Sequence, residues 1–123
     1  MNEHGKGGIV FDAPPKWQGV LGAAVALTVF LAFSGFGLEG AGRAAAVSVV
    51  SVGAAARISW PMRRDVWYWV CISCISLVHV SVIILYPWSN DRYNAIALVP
   101  VMFVDIVIIL AIVSVAARIF RKP

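Results

Sequence analysis

Three features of this 123-residue chain have residue types that could do chemistry: an acid, Asp105, within "ALVPVMFVDIVIILAIV"; a histidine, His79, within "VWYWVCISCISLVHVSVIILY"; and Cys71 with Cys74 in that second run. A carboxylate among apolar neighbours either carries a proton or needs a partner, because leaving it ionised in hydrocarbon costs about 3 kcal/mol or more. Imidazole is the natural partner, since it changes charge within the physiological range and hydrogen-bonds a carboxylate well. An acid and a histidine inside a membrane suit proton relay or cation handling. The plainer role is a hydrogen bond between helices, worth about 1 kcal/mol. Cys71 and Cys74 have the C-x-x-C spacing of thiol redox sites, where a helix N-terminus stabilises the first thiolate. With no further cysteine to exchange with, they read as small buried apolar residues.

Other chemistries find no residues to carry them. His4 and His79 are the only histidines, and no His, Cys and Glu cluster has ligand spacing, so neither a metal nor another cofactor is expected. There is no nucleophile elbow and no glycine-rich phosphate loop following a strand, so an enzyme is not expected either. The net charge is +4, yet the basic residues fall between apolar runs rather than on a solvated face, which argues against a nucleic-acid partner.

The elements that must position Asp105 and His79 follow from composition. Apolar residues make up 61% of the chain and charged ones 13%, about half the charged share of a soluble domain. A spanning helix needs about 20 apolar residues, and four segments approach that length: 17–36, 44–60, 66–86 and 95–117. The second is the shortest and least apolar, with Arg57 in its last turn. "GLEGAGR", "PMRRD" and "PWSNDRYN" are expected as short loops, each holding Gly, Pro or Asn that stops a helix. Pro61 and Pro87 end the second and third helices. The expected fold is an all-α integral membrane protein of four transmembrane helices in an antiparallel bundle. A flexible N-terminal tail, 1–16, precedes the single membrane domain, 17–117, and a basic tail, 118–123, follows it.

Basic residues orient the layout, because Lys and Arg near span ends are retained on the cytoplasmic side. Four spans put Lys6, Lys16, Arg57, Arg63, Arg64, Arg118, Arg121 and Lys122 on one side and only Arg43 and Arg92 on the other. Both termini are therefore expected in the cytoplasm, with Arg57, Arg63, Arg64, Arg118, Arg121 and Lys122 facing anionic headgroups. Aromatic residues, which prefer the headgroup level, agree: Trp17, Trp60, Trp67 and Trp69 mark the cytoplasmic boundary, and Tyr86, Trp88 and Tyr93 the far one. Arg outnumbers Lys seven to three, and with abundant Ala, Gly and Val this points to a bacterial cytoplasmic membrane.

On a rise of 1.5 Å per residue, Asp105 sits roughly 15 Å and His79 roughly 10 Å from the outer boundary, about one turn apart in depth. A short loop joins their helices, so the two are expected to pair, with Arg57 as the alternative partner for the acid. Pro100 leaves the carbonyl of Ile96 without its usual donor. Small residues at four-residue spacing let helices approach closely in lipid. Gly19 with Ala23 and Gly22 with Ala26 in the first helix, and Ser48, Ser51 and Ala55 in the second, predict that these two helices pack along small-residue ridges.

The size and four-span layout resemble those of small multidrug-resistance transporters. That family carries its essential acid in the first helix, where this sequence has none, so the resemblance stops at architecture. The functional expectation is a non-enzymatic oligomeric or accessory subunit in contact with lipid and with a second copy or another membrane protein. The alternative is a small proton- or cation-coupled transporter in which Asp105 titrates and His79 modulates it. A pore former and a membrane redox protein rank lower.

Overall fold

A computed structural model describes residues 15–88 and 94–121. Most of the expected N-terminal tail, together with Arg92, Tyr93 and Lys122, lies outside the described residues. Four α-helices follow one another: α1 (Lys16–Gly35), α2 (Glu39–Ile58), α3 (Val66–Leu85) and α4 (Ala95–Phe120). Each is long and apolar enough to cross a membrane. A short 3-10 helix, Trp60–Met62, links α2 to α3.

The second helix begins at Glu39, ahead of the expected start at 44, because Gly40 and Gly42 of "GLEGAGR" are helical rather than loop residues. The chain turns instead within Phe36, Gly37 and Leu38. Gly37 takes a φ of 73°, and its N–H donates to the Ser34 carbonyl at 2.9 Å while that of Leu38 donates to Phe33 at 3.1 Å. These are the paired bonds of a glycine-terminated helix, and only a residue without a Cβ adopts that backbone freely. Glu39 then opens α2 and pairs with Arg43 at 3.6 Å, one turn on. Gly40 and Gly42 are buried. A Cβ on Gly42 would stand 2.9 Å from the Phe33 Cβ and 3.2 Å from the Phe30 carbonyl. Glycine is thus required inside this helix to let α1 approach, which offsets its usual helix penalty of about 1 kcal/mol.

The expected ridge on α1 is placed differently. Gly19, Gly22 and Ala23 are exposed, and nothing lies within 4 Å of a Cβ built on either glycine. Ala26 is half-buried. The close approach of α1 to α2 occurs at Gly42, Phe30 and Phe33, so a small residue on one helix meets aromatic side chains on the other. On α2, Ala44, Ala45, Ser51 and Ala55 are buried and Ser48 is half-buried. Packed against α1, α3 and α4, α2 is the central helix. This is why it is small-residued throughout, since each neighbour must come close to a different face of it.

The main apolar cluster joins Ala55, Met62, Tyr68, Ile75, Ile109 and Val113, and it lies toward the C-terminal end of α2. Large apolar side chains elsewhere point outward, among them Leu77, Ile84, Phe103 and Val107, and α1 has no buried residue. In water such a surface would be untenable; against lipid tails it is the required one, because the backbone polar groups are satisfied inside the helices.

Candidate functional site

His79 and Asp105 meet. Nε2 of His79 lies 3.0 Å from Oδ2 and 3.2 Å from Oδ1 of Asp105. The other ring nitrogen, Nδ1, lies 2.8 Å from the carbonyl oxygen of Ile75, one turn back on α3. A carbonyl only accepts, so Nδ1 carries a hydrogen and donates it. The ring is thereby fixed in its own helix by one nitrogen and presented to the neighbouring helix by the other.

Register explains the meeting. His79 follows Ile75 by four residues, and Asp105 precedes Ile109 by four, so each polar side chain stands one turn from a buried isoleucine on the same helix face. Ile75 is 7% and Ile109 1% exposed, whereas the side chains of His79 and Asp105 keep 18% and 25%. The pair therefore sits at the edge of the apolar cluster. Beyond it, toward the N-terminal end of α2, a cleft of about 340 Å³ opens between α2, α3 and α4, walled by residues including Ala44, Val47, Val82, Leu98 and Val101. A second cleft, about 540 Å³, lies between α1, α2 and α3, and Ser48, His79 and Ile83 line both. Toward the C-terminal end of α2 the path is filled by Tyr68, Ile109 and Val113, each 1% exposed or less.

Arg57, the alternative partner for the acid, is engaged elsewhere: its Nε donates to Oε1 of Gln18 at 2.6 Å, tying α2 to the start of α1. Arg121, expected at the headgroups, donates from Nε and Nη2 to Oδ2 of Asp65 at 3.0 and 2.9 Å, joining the end of α4 to the start of α3. Arg63, Arg64 and Arg118 are exposed; Arg63 stands 5.1 Å over the Trp60 ring. Cys71 and Cys74 are free thiols, half-buried and exposed respectively. Among the described residues, no three His, Cys, Asp or Glu side chains gather to hold a metal ion.

Sequence reasoning missed a polar lock within the apolar cluster, toward the C-terminal end of α2. Tyr68, fully buried, donates its hydroxyl to the Ala56 carbonyl at 3.1 Å. Ser59 donates to the Ala55 carbonyl at 2.7 Å and lies 3.3 Å from the Tyr68 hydroxyl. A tyrosine one residue from Trp67 and Trp69 looks like one more interfacial aromatic. Only the α3 face that it shares with Ile75, seven residues on, distinguishes it.

The chain matches no protein-family model, no curated protein and no solved structure. What the site can do is therefore argued from its geometry: an acid and an imidazole share a hydrogen bond at the base of an apolar cleft, backed on one side by packed side chains.

Proposed function

We propose that this chain is a small multi-pass protein of the bacterial cytoplasmic membrane, with its helices antiparallel, both termini in the cytoplasm, and a non-enzymatic role as an oligomeric or accessory subunit of a membrane complex. The observation that carries this reading is the His79–Asp105 contact at 3.0 Å. In a segment that spans lipid, such a bond satisfies the two groups against each other and fastens α3 to α4. The open small-residue face of α1, at Gly19, Gly22 and Ala23, supports a helix of another subunit as the neighbour. The distribution of Lys and Arg between the loops supports the orientation.

A second reading has its own support. The fastened pair lines a cleft rather than being sealed in the core, as a proton- or cation-coupled transporter would require of Asp105 and His79.

Asp105→Ala and Asp105→Asn, each purified from native membranes in mild detergent, separate the two. Alanine removes the contact, whereas asparagine keeps a donor facing the imidazole. The subunit reading expects assembly or partner recovery to fall in Asp105→Ala and persist in Asp105→Asn, with no pH-driven cation flux in proteoliposomes of the unaltered protein. A flux that Asp105→Asn abolishes without disturbing assembly replaces it with the transport reading.

A further inference from the structure

We infer that His79 and Asp105 together form a binding site for one exchangeable proton, held between Nε2 and the carboxylate with the pair neutral overall. This goes beyond the fastening role, because two side chains can tie helices together at more than one protonation state.

The argument is one of donors and acceptors. Ile75 offers only a carbonyl oxygen, 2.8 Å from Nδ1, so that nitrogen keeps its hydrogen. Facing Nε2 are both carboxylate oxygens, at 3.0 and 3.2 Å, and an ionised carboxylate is acceptor-only. With no proton between them, the Nε2 lone pair and the carboxylate would oppose each other. Moving the ring hydrogen to Nε2 would mend that contact, but would set the bare Nδ1 against the Ile75 carbonyl. Each deprotonated arrangement therefore places two acceptors in hydrogen-bond contact, and each leaves a full negative charge in a cleft of apolar walls.

Adding a second proton is disfavoured by the reverse reasoning. It leaves an imidazolium against a neutral acid, and a positive charge that no other described residue lining the cleft balances. On α2 the residues that line the cleft are Ala44, Val47 and Ser48; on α3 they include Val78, Val82 and Ile83; on α4 they include Val101, Val104 and Ile108. None of these is ionisable. From α1 the flanking cleft receives Phe33. Arg43, adjacent in sequence to Ala44, pairs with Glu39 at 3.6 Å and is not among the lining residues. The single-proton state is thus the one in which every polar atom of the pair has a complementary neighbour and no net charge is left in the cleft. Whether the proton rides on nitrogen or on oxygen does not alter the count.

Asparagine at 105 is the informative substitution. Its amide donates to Nε2 while Nδ1–H continues to donate to Ile75, so the contact survives and the shared proton is lost. The test is 15N NMR of histidine-labelled protein in lipid nanodiscs, with the His79 signals assigned by their loss in His79→Gln. The unaltered protein is expected to show Nδ1 protonated and a proton shared between Nε2 and the Asp105 carboxylate. Asp105→Asn is expected to show Nδ1 protonated and Nε2 bare. A wild-type spectrum with Nε2 protonated and Nδ1 bare would mean an ionised acid beside a neutral ring, and overturns the proposal. A bare Nε2 in the unaltered protein beside an ionised Asp105, read from the 13C shift of its carboxyl carbon, overturns it as well. The wild-type spectrum is decisive by itself should the variant fail to fold, and neither readout depends on whether the protein assembles with a partner.

Discussion

The Nε2 atom of His79 on α3 stands 3.0 Å from Oδ2 of Asp105 on α4, while Nδ1 of the same ring is held 2.8 Å from the Ile75 carbonyl. Two helices are therefore joined through a ring that cannot turn without giving up a bond within its own helix. Replacing the acid by alanine should destabilise the protein by about 1 kcal/mol, the usual scale of a polar contact between helices in lipid. Asparagine should cost less, because its amide still donates to Nε2. Reversible unfolding in mixed micelles measures both, and equal losses for the two variants would contradict the hydrogen-bond account.

The contact of Gly42 with Phe33 yields a contrast between two glycines. A leucine at 42 must displace Phe33 or Phe30, since even its Cβ would stand 2.9 Å from the Phe33 Cβ. Overpacking of this kind costs about 1–3 kcal/mol. Leucine at Gly22 meets open space and removes a helix-weakening glycine, so the melting temperature of the isolated monomer should not fall, whereas any oligomer formed through that face should weaken. Thermal scans with size analysis before and after substitution check both halves.

Tyr68→Phe removes a buried hydroxyl and strands the Ala56 carbonyl that accepts from it. A loss of about 1–2 kcal/mol is expected, on the scale of an unmade buried hydrogen bond. The aromatic packing of Tyr68 against Trp69, with ring centroids 5.5 Å apart, should survive, so tryptophan fluorescence ought to stay near wild-type while stability falls. An unchanged unfolding midpoint would show the hydroxyl to be dispensable.

Asp65 and Arg121 pair at 2.9 Å with about a third of each side chain exposed. Screening by solvent limits such a pair to about 1 kcal/mol or less. A double-mutant cycle with Asp65→Asn and Arg121→Gln should give a coupling below that figure, falling as salt is raised. A large, salt-independent coupling would mean that this end of the molecule is drier than the exposures indicate.

Much of the candidate site could be read without coordinates. Depth counting brought His79 and Asp105 to within about a turn, and a short connection made their helices neighbours, so the pairing follows from length and loop size. The Ile75 carbonyl that fixes the ring could not be anticipated, because every helical histidine has such a carbonyl one turn back and only its rotamer decides whether the bond forms. Arg57 looked available to the acid for the same reason. Its choice of Gln18 depends on where α1 crosses α2.

By itself, the amino-acid sequence determined that there are four helices of membrane length, because a run of about 20 apolar residues is a local property that no packing is needed to create. It also set the acid and the histidine at comparable depth. Tertiary structure decided which small residues matter. Gly19, Gly22 and Ser51 are all small residues of the expected ridges, yet the glycines face outward and Ser51 is fully buried. Gly40 and Gly42 read as loop residues and turned out to lie inside α2. The physical reason is that glycine lowers the intrinsic stability of a helix while permitting close approach of a neighbour. Which effect prevails at a given glycine depends on whether another helix arrives there, and that is a property of the assembled helices rather than of any one segment.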